Sequence, residues 1–394
     1  MKTILFVSNG YGEDTISAAI MEEVSALAPK VDLVAMPLVG DGTIYSQKGI
    51  RVVGPRRRMP SDGIIGNFNW TNIMRDLRAG LLSLTLDQAE YLRKSRRRIS
   101  LCVCVGDLYP VLLTSLFLQA PTLLVGTAKS VYVAPYSLLE IFLLRSCRLV
   151  FPRDQPTADR LVSQKVRAVY VGNAMMDSLT FTGEDIGFPS GARVLGILPG
   201  SRESAYDDFP VILDTVEVLS REAGFPLEFL VALPNSLDLD RFLQTGSPRS
   251  WKLLPGTALS GDSASGVVAI LSKNGLRVRV LRERFGDVLA SSSVVLGQAG
   301  TGNEQAVGLG KPTVAFDRLE RGYATWYRSR QKDLLGDAVS VVPDRPSAIA
   351  GEVLAILSDP ERAARMEEAG KIRMGPPGAA GRIARHILES CNHG

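Results

Sequence analysis

Short apolar, β-branched runs recur along the chain, and each is followed by a longer stretch with helical spacing of apolar and polar positions. The first series lies at residues 3–8, 31–36, 101–105, 122–125, 149–151 and 168–171. A second lies at 193–198, 227–232, 267–271, 294–296, 313–316 and 338–342, after a polar, glycine-rich stretch at 181–191. Near-continuous apolar strands alternating with helices mark parallel sheets covered on both faces. The pattern predicts an α/β chain of two doubly wound, Rossmann-like domains, residues 1–180 and 190–375, with 181–191 as a linker. Helical spacing at 346–357 and 360–368 closes the second domain. One more helix is predicted at 378–391, where Ile383, Ala384, Ile387 and Leu388 share an apolar face that needs a partner. Residues 376–394 are therefore expected to pack back on the first domain.

Composition narrows the chemistry. With 394 residues, 45% of them hydrophobic, the chain can bury more than one core, which excludes disorder or a fibrous structure. Its four cysteines (Cys102, Cys104, Cys147, Cys391) follow no metal or redox spacing, which suits a reducing cytoplasm. Both histidines, His386 and His393, stand at the C-terminus, so a histidine metal site or a Ser-His-Asp triad in the body of the protein is not expected. Any general base is then a carboxylate. The N-terminus reads as a first strand and not as a signal peptide, and the most apolar region, 111–151, is too interrupted by charge and proline to span a bilayer. Net charge is only +4, but Arg56, Arg57 and Arg58 cluster, as do Arg93, Lys94, Arg96, Arg97 and Arg98. These are either solvated helix ends and loops or a face toward an anionic surface or substrate.

Four strand-to-helix turns hold candidate chemistry, because ligands of open α/β sheets bind beyond the carboxyl ends of the strands. The first is Asn9-Gly10-Tyr11-Gly12-Glu13-Asp14-Thr15. Gly10 and Gly12 allow close backbone approach, whereas Thr15 stands where a dinucleotide fingerprint needs glycine or alanine, and Glu13 and Asp14 would repel a pyrophosphate. An acidic helix cap and an acceptor or sugar site both remain open. In the second turn, Gly106-Asp107-Leu108-Tyr109-Pro110, Asp107 is either an N-cap or a general base whose pKa is raised by apolar surroundings. The third, Leu198-Pro199-Gly200-Ser201-Arg202, combines free amides, a hydroxyl and a fixed cation at a helix start, which suits a phosphate. The fourth is Gly297-Gln298-Ala299-Gly300-Thr301-Gly302-Asn303-Glu304-Gln305. Its amides at 300–303 can hold a second phosphate, and Glu304 can accept from ribose hydroxyls or simply cap the helix.

Two further features are weaker. Asp238-Leu239-Asp240 imitates a metal-binding DxD but lacks a strand before it, and no metal site is expected. The stretch 321–330 mixes aromatics with arginines, but the spacing of Tyr323, Trp326 and Tyr327 favours a packed helix face over a nucleic-acid surface.

The Leu198–Arg202 and Gly300–Gln305 turns, together with Gly12-Glu13-Asp14, Gly106-Asp107 and Val171-Gly172-Asn173-Ala174-Met175-Met176-Asp177, resemble the lipid-A-disaccharide synthase family. The resemblance covers most of the chain and is looser between the motifs. It implies a GT-B fold and transfer of a sugar from a UDP-sugar to a lipid-linked acceptor, with the nucleotide held by the C-terminal domain. Gly200, Ser201 and Arg202, with Gly300, Thr301, Gly302, Asn303, Glu304 and Gln305, would bind the nucleotide-sugar without a metal or other cofactor. Asp107, or else Glu13 or Asp14, would take the acceptor's proton, and Gly10, Gly12 and Asn173 would fall on the acceptor side. Asn173 stands where the family usually has the histidine of a Gly-His pair. Two other readings share this scaffold: a UDP-N-acetylglucosamine 2-epimerase-like isomerase, and a non-catalytic nucleotide-sugar-binding protein. A lipid-linked acceptor would bring the protein to an anionic membrane surface, by the arginine clusters and by Ile64, Ile65, Phe68 and Trp70 between them. No nucleic-acid partner is expected, and homo-oligomerisation is left open.

Overall fold

The computed structural model describes residues 3–57, 80–184, 186–188, 191–254, 266–318 and 322–392. It divides into two compact units, Met1–Ser178 with Gly375–Gly394, and Leu179–Met374. The first unit is built on strands β1 (Thr3–Ser8), β2 (Asp32–Pro37), β3 (Arg51–Val52), β4 (Ile99–Gly106), β5 (Thr122–Gly126) and β6 (Leu149–Phe151). They form one sheet in the order β3-β2-β1-β4-β5-β6, and every pairing is parallel. Strand order reverses between β1 and β4, so the chain leaves these two neighbours in opposite directions and opens a crevice at their carboxyl ends. The central strands are buried on both sides, with Leu5 and Val7 of β1 beside Cys102 and Cys104 of β4 in one apolar cluster.

The C-terminal helix Ala379–Asn392 belongs to this first unit and packs on the Tyr11–Leu27 helix, burying Ile383, Ala384 and Ile387. Its start is fixed by Asp177, whose carboxylate accepts from the amides of Gly378 (2.5 Å) and Ala380 (2.7 Å). A carboxylate at these first-turn amides satisfies donors that a helix cannot satisfy itself.

The second unit repeats the plan on β7 (Arg193–Leu198), β8 (Leu227–Ala232), β9 (Lys252–Leu253), β10 (Val267–Lys273), β11 (Leu276–Leu281), β12 (Val294–Gly297), β13 (Thr313–Asp317) and β14 (Val339–Pro343). The order is β14-β13-β12-β7-β8-β11-β10-β9, parallel except at β10, which runs antiparallel to both neighbours. Without the β9–β10 edge this is the first sheet's topology again, with the reversal between β7 and β12. Phe209 and Phe242, stacked at 4.0 Å, anchor the core on one face.

Three local outcomes differ from the pattern reading. Residues 168–171 form no strand, since only Ala168 bridges to Val150 before the chain turns at Gly172 with φ +97°. β11 does not stand out as an apolar run because Arg277 and Arg279 interrupt it. The signal was nevertheless present, because Asn274 and Gly275 (φ +50° and +83°) make the two-residue turn of a hairpin. The polar stretch near 181–191 is tethered at its start, where the amides of Thr182 and Gly183 donate to Asp287 (2.9 and 3.3 Å).

Candidate functional site

In the first unit the carboxyl ends of β1 and β4 bring together residues almost a hundred positions apart. Ser8 pairs with Val105, which sets Asn9 beside Asp107, and the Asn9 amide donates to Asp107 Oδ2 at 3.1 Å. The other oxygen of Asp107 accepts from the Tyr109 amide (2.9 Å), so the residue does cap the Leu108–Phe117 helix. Burial and the neighbouring Glu13 carboxylate push its pKa up to about 6 against these two hydrogen bonds and the charge of Lys129. Glu13 stands in the same crevice. A Cβ on Gly106 would come within 3.1 Å of its side chain, Thr127 at the end of β5 donates to it at 3.4 Å, and burial raises its pKa.

Asp14 is placed differently. It is 1% exposed and turned inward, accepting from Ser8 Oγ at 2.5 Å, while the same hydroxyl meets Tyr45 Oη at 2.7 Å. Desolvation, with the charges of Glu13 and Asp41, lifts its pKa to about 7. Of the three carboxylates, Asp107 and Glu13 border the crevice and Asp14 supports the turn beneath it. Gly10 precedes the first helix, and Gly12 has open space where a Cβ would stand. Asn173 is buried in a turn where its Oδ1 accepts from the Met175 amide.

In the second unit the two glycine turns meet. Gly297 pairs with Leu198, and the Gln298 amide donates to the Leu198 carbonyl at 2.8 Å. Gly200 has φ +88°, and a Cβ there would lie 3.0 Å from the Gln298 carbonyl oxygen, so the position requires glycine both for conformation and for space. Ser201 and Arg202 follow on the exposed rim. Gly300 precedes the Thr301–Gly308 helix, whose first-turn amides of Thr301 and Gly302 fall outside the helical ladder. Asn303 does not join them. Its amide donates to the Gly300 carbonyl, and its side chain, fully buried, donates to the Gly297 carbonyl (2.9 Å) and to Gln331 (3.1 Å). The expected 300–303 cradle thus narrows to its first two helical amides. Glu304 and Gln305 lie on the same short helix, partly exposed.

Residues that pattern reading missed hold this turn. The Gln331 amide donates to the carbonyls of Ala299 and Gly300, both at 3.2 Å, and Arg328 bonds Gln331 Oε1 and the Gln298 carbonyl. Both are buried on the Gly322–Leu335 helix. Arg328 lies in the stretch read as a packed face and Gln331 just beyond it, and polarity was their only sequence signal, while Tyr323, Trp326 and Tyr327 have side chains outside the described residues. Beside Ser201 lies a shallow, polar pocket of about 490 Å³ lined by residues 235–240 and Arg282, whose Nε is buried without a partner. Asp238 there caps the Leu239–Gln244 helix by accepting from the Arg241 amide.

No family model matches the sequence. The lipid-A-disaccharide synthase of Geobacter sulfurreducens is 28% identical over 264 residues, a match that spans 61% of this chain and 61% of that protein, less than two thirds of its length. MurG of Acinetobacter baumannii has a TM-score of 0.59 at 12% identity, covering 99% of this chain and 100% of that one. The fold is GT-B. UDP-N-acetylglucosamine 2-epimerase of Neisseria meningitidis, in a structure bound to UDP-N-acetylglucosamine, shares the architecture with a TM-score of 0.57 at 15% identity, covering 98% of this chain and 100% of its own. In GT-B terms, the β1/β4 crevice lies in the N-terminal unit and the paired glycine turns in the C-terminal unit.

Proposed function

We propose that this chain is a glycosyltransferase that passes the sugar of a UDP-sugar to a hydroxyl of a lipid-linked acceptor. The observation that carries the reading is the meeting of the Gly200-Ser201-Arg202 turn with the first turn of the Thr301–Gly308 helix at the reversal point of the second sheet. These two turns of one unit supply amides outside the helical ladder, a hydroxyl and a guanidinium, the groups that a diphosphate requires. As the bond between the anomeric carbon and the UDP oxygen breaks, Arg202 and the amides of Thr301 and Gly302 neutralise the departing diphosphate, and Glu304 orients the ribose. This is charge that a metal supplies in other glycosyltransferases. In the first unit, Asp107 takes the acceptor's proton, with Glu13 as the second carboxylate of the crevice. The similarity to a lipid-A-disaccharide synthase supports the lipid-linked acceptor.

Replacing Arg202 and Glu304 separately with alanine is expected to weaken UDP binding by about tenfold or more each, the scale of a charge-assisted hydrogen bond, read by calorimetric titration. Unchanged affinity in both would sink the donor assignment. The likeness to epimerase structures favours isomerisation of the sugar as the second reading. Free UDP released only when a lipid acceptor is present marks transfer, and a changed sugar without acceptor marks epimerisation.

A further inference from the structure

Three helices of the first unit, Leu81–Ser95, Leu108–Phe117 and Leu138–Leu144, follow crossovers that all move the same way across the sheet, so right-handed connection sets them on one face. The first two run side by side. Thr85 Oγ1 lies 3.1 Å from Tyr109 Oη near their starts, and Arg96 donates to the Phe117 carbonyl at 2.7 Å near their ends. Their inner sides bury Leu84, Leu92, Val111 and Leu113, as core packing requires. The outer sides are apolar too. Leu82 and Leu86 are exposed one helical turn apart, Leu112 and Leu116 repeat the spacing on the next helix, and Leu138, Leu139 and Phe142 on the third are 83%, 83% and 75% exposed. A surface helix normally turns polar residues outward, and apolar stripes on three neighbouring helices make a patch rather than scattered leucines.

Charge frames this patch without entering its middle, since the Leu108–Phe117 helix carries no ionisable acid or base other than Tyr109. Arg93, Lys94, Arg96, Arg97 and Arg98 are exposed at the far end of the first helix, Arg145 follows the third, and Arg57 reaches Gly80 just before the first. Among the nearby acids, Glu90 pairs with Lys94 and Glu140 with Lys129, while Asp87 is exposed beside Leu86 on the first helix.

We infer that this three-helix face docks the first unit on an anionic lipid bilayer. Leucine and phenylalanine enter the boundary between headgroups and acyl chains while the arginines meet lipid phosphates. A two-fold pairing of the face with a second copy would set cationic rims against one another, which disfavours self-association. The inference gives the lipid-linked acceptor reading its membrane surface but rests on none of the donor-site residues.

The test is sedimentation of the full chain with phosphatidylglycerol–phosphatidylcholine vesicles and with phosphatidylcholine alone, at low and high salt. The parent is expected to bind the anionic vesicles and to be released by salt. Leu138→Ser, Leu139→Ser and Phe142→Ser together lower the partition by roughly 30-fold, and Arg93→Gln, Arg97→Gln and Arg98→Gln together lower it by about 100-fold on anionic vesicles only. All six side chains are exposed, so circular dichroism and UDP affinity without vesicles should match the parent, which separates failure of the surface from failure of the donor site. A serine variant that sediments like the parent overturns the inference. So does a parent dimer, seen by analytical ultracentrifugation, that the same serines dissolve.

Discussion

At the residue scale, the carboxylates around β1 and β4 are the informative groups, because burial makes neighbours with equal chemistry behave differently. Burial pushes the Asp14 pKa up to about 7, so the folded chain holds a proton there that the unfolded chain releases near pH 4. Its contribution to stability therefore falls as pH rises from about 4 to about 7. Asp14→Asn removes that dependence while keeping an acceptor for Ser8. It is expected to be neutral in thermal denaturation at pH 4 and stabilising by about 4 kcal/mol at pH 8. For Asp107, the proposed base must be ionised to act, so acceptor-dependent turnover should rise with pH through about 6. Asp107→Asn is expected to lower kcat by about 100-fold or more and to remove that limb of the pH profile, with UDP affinity unchanged. If Glu13→Gln does this instead, the base is the other carboxylate of the crevice.

At the element scale, each site is a strand end whose turn is held by something distant in sequence. Gly200 needs a positive φ and has the Gln298 carbonyl against it, so Gly200→Ala should cost roughly 1–2 kcal/mol in chemical denaturation and weaken UDP binding with it. Gln331 is the more discriminating case. It bonds the Ala299 and Gly300 carbonyls from beneath, and Gln331→Ala is expected to reduce UDP affinity several-fold, with Gln331→Glu restoring less because a carboxylate cannot donate to them. The turns themselves were readable from apolar runs ending in glycine, and so was the fold class. The supporting roles of Gln331, Arg328 and Asn9 were not, because a polar residue inside a helix or turn looks the same whether it meets solvent or a buried partner.

At the scale of the whole molecule, two units with separate cores share one chain that returns to its first unit through the Ala379–Asn392 helix. Ile383 and Ile387 are buried there against the Tyr11–Leu27 helix, the same helix that carries Glu13 and Asp14. Ile383→Ala should destabilise the first unit by about 2–4 kcal/mol. Because separately cored units need not unfold together, calorimetry should show the first unit's transition moving down while the second unit's transition, and its UDP affinity, stay in place. Among the described residues no helix is long and apolar enough to cross a membrane. Arg58 and the Ile64, Ile65, Phe68 and Trp70 set expected to meet a bilayer lie outside those residues, and the three-helix face offers a lipid contact independent of them.

Alternation of buried strands with helices was determined by sequence, since a strand covered on both faces must be apolar throughout and a covering helix must be apolar on one side. Glycine at the strand ends, and the acidic residues beside the first two turns, were legible for the same local reason. Sequence alone left Asp107 as cap or base, and tertiary structure shows it capping one helix while its other oxygen faces Asn9 and the Glu13 crevice. Only tertiary structure separated Asp14 from Glu13, which are adjacent in the chain but turned to different surroundings. It also withdrew Asn303 from the ligand-facing row and aligned the exposed leucines of three helices into one surface. The physical reason is common to all four. Strand pairing at the reversal points and right-handed crossovers join residues far apart in sequence, and burial, hydrogen-bond partners and shared surface exist only after they have been joined.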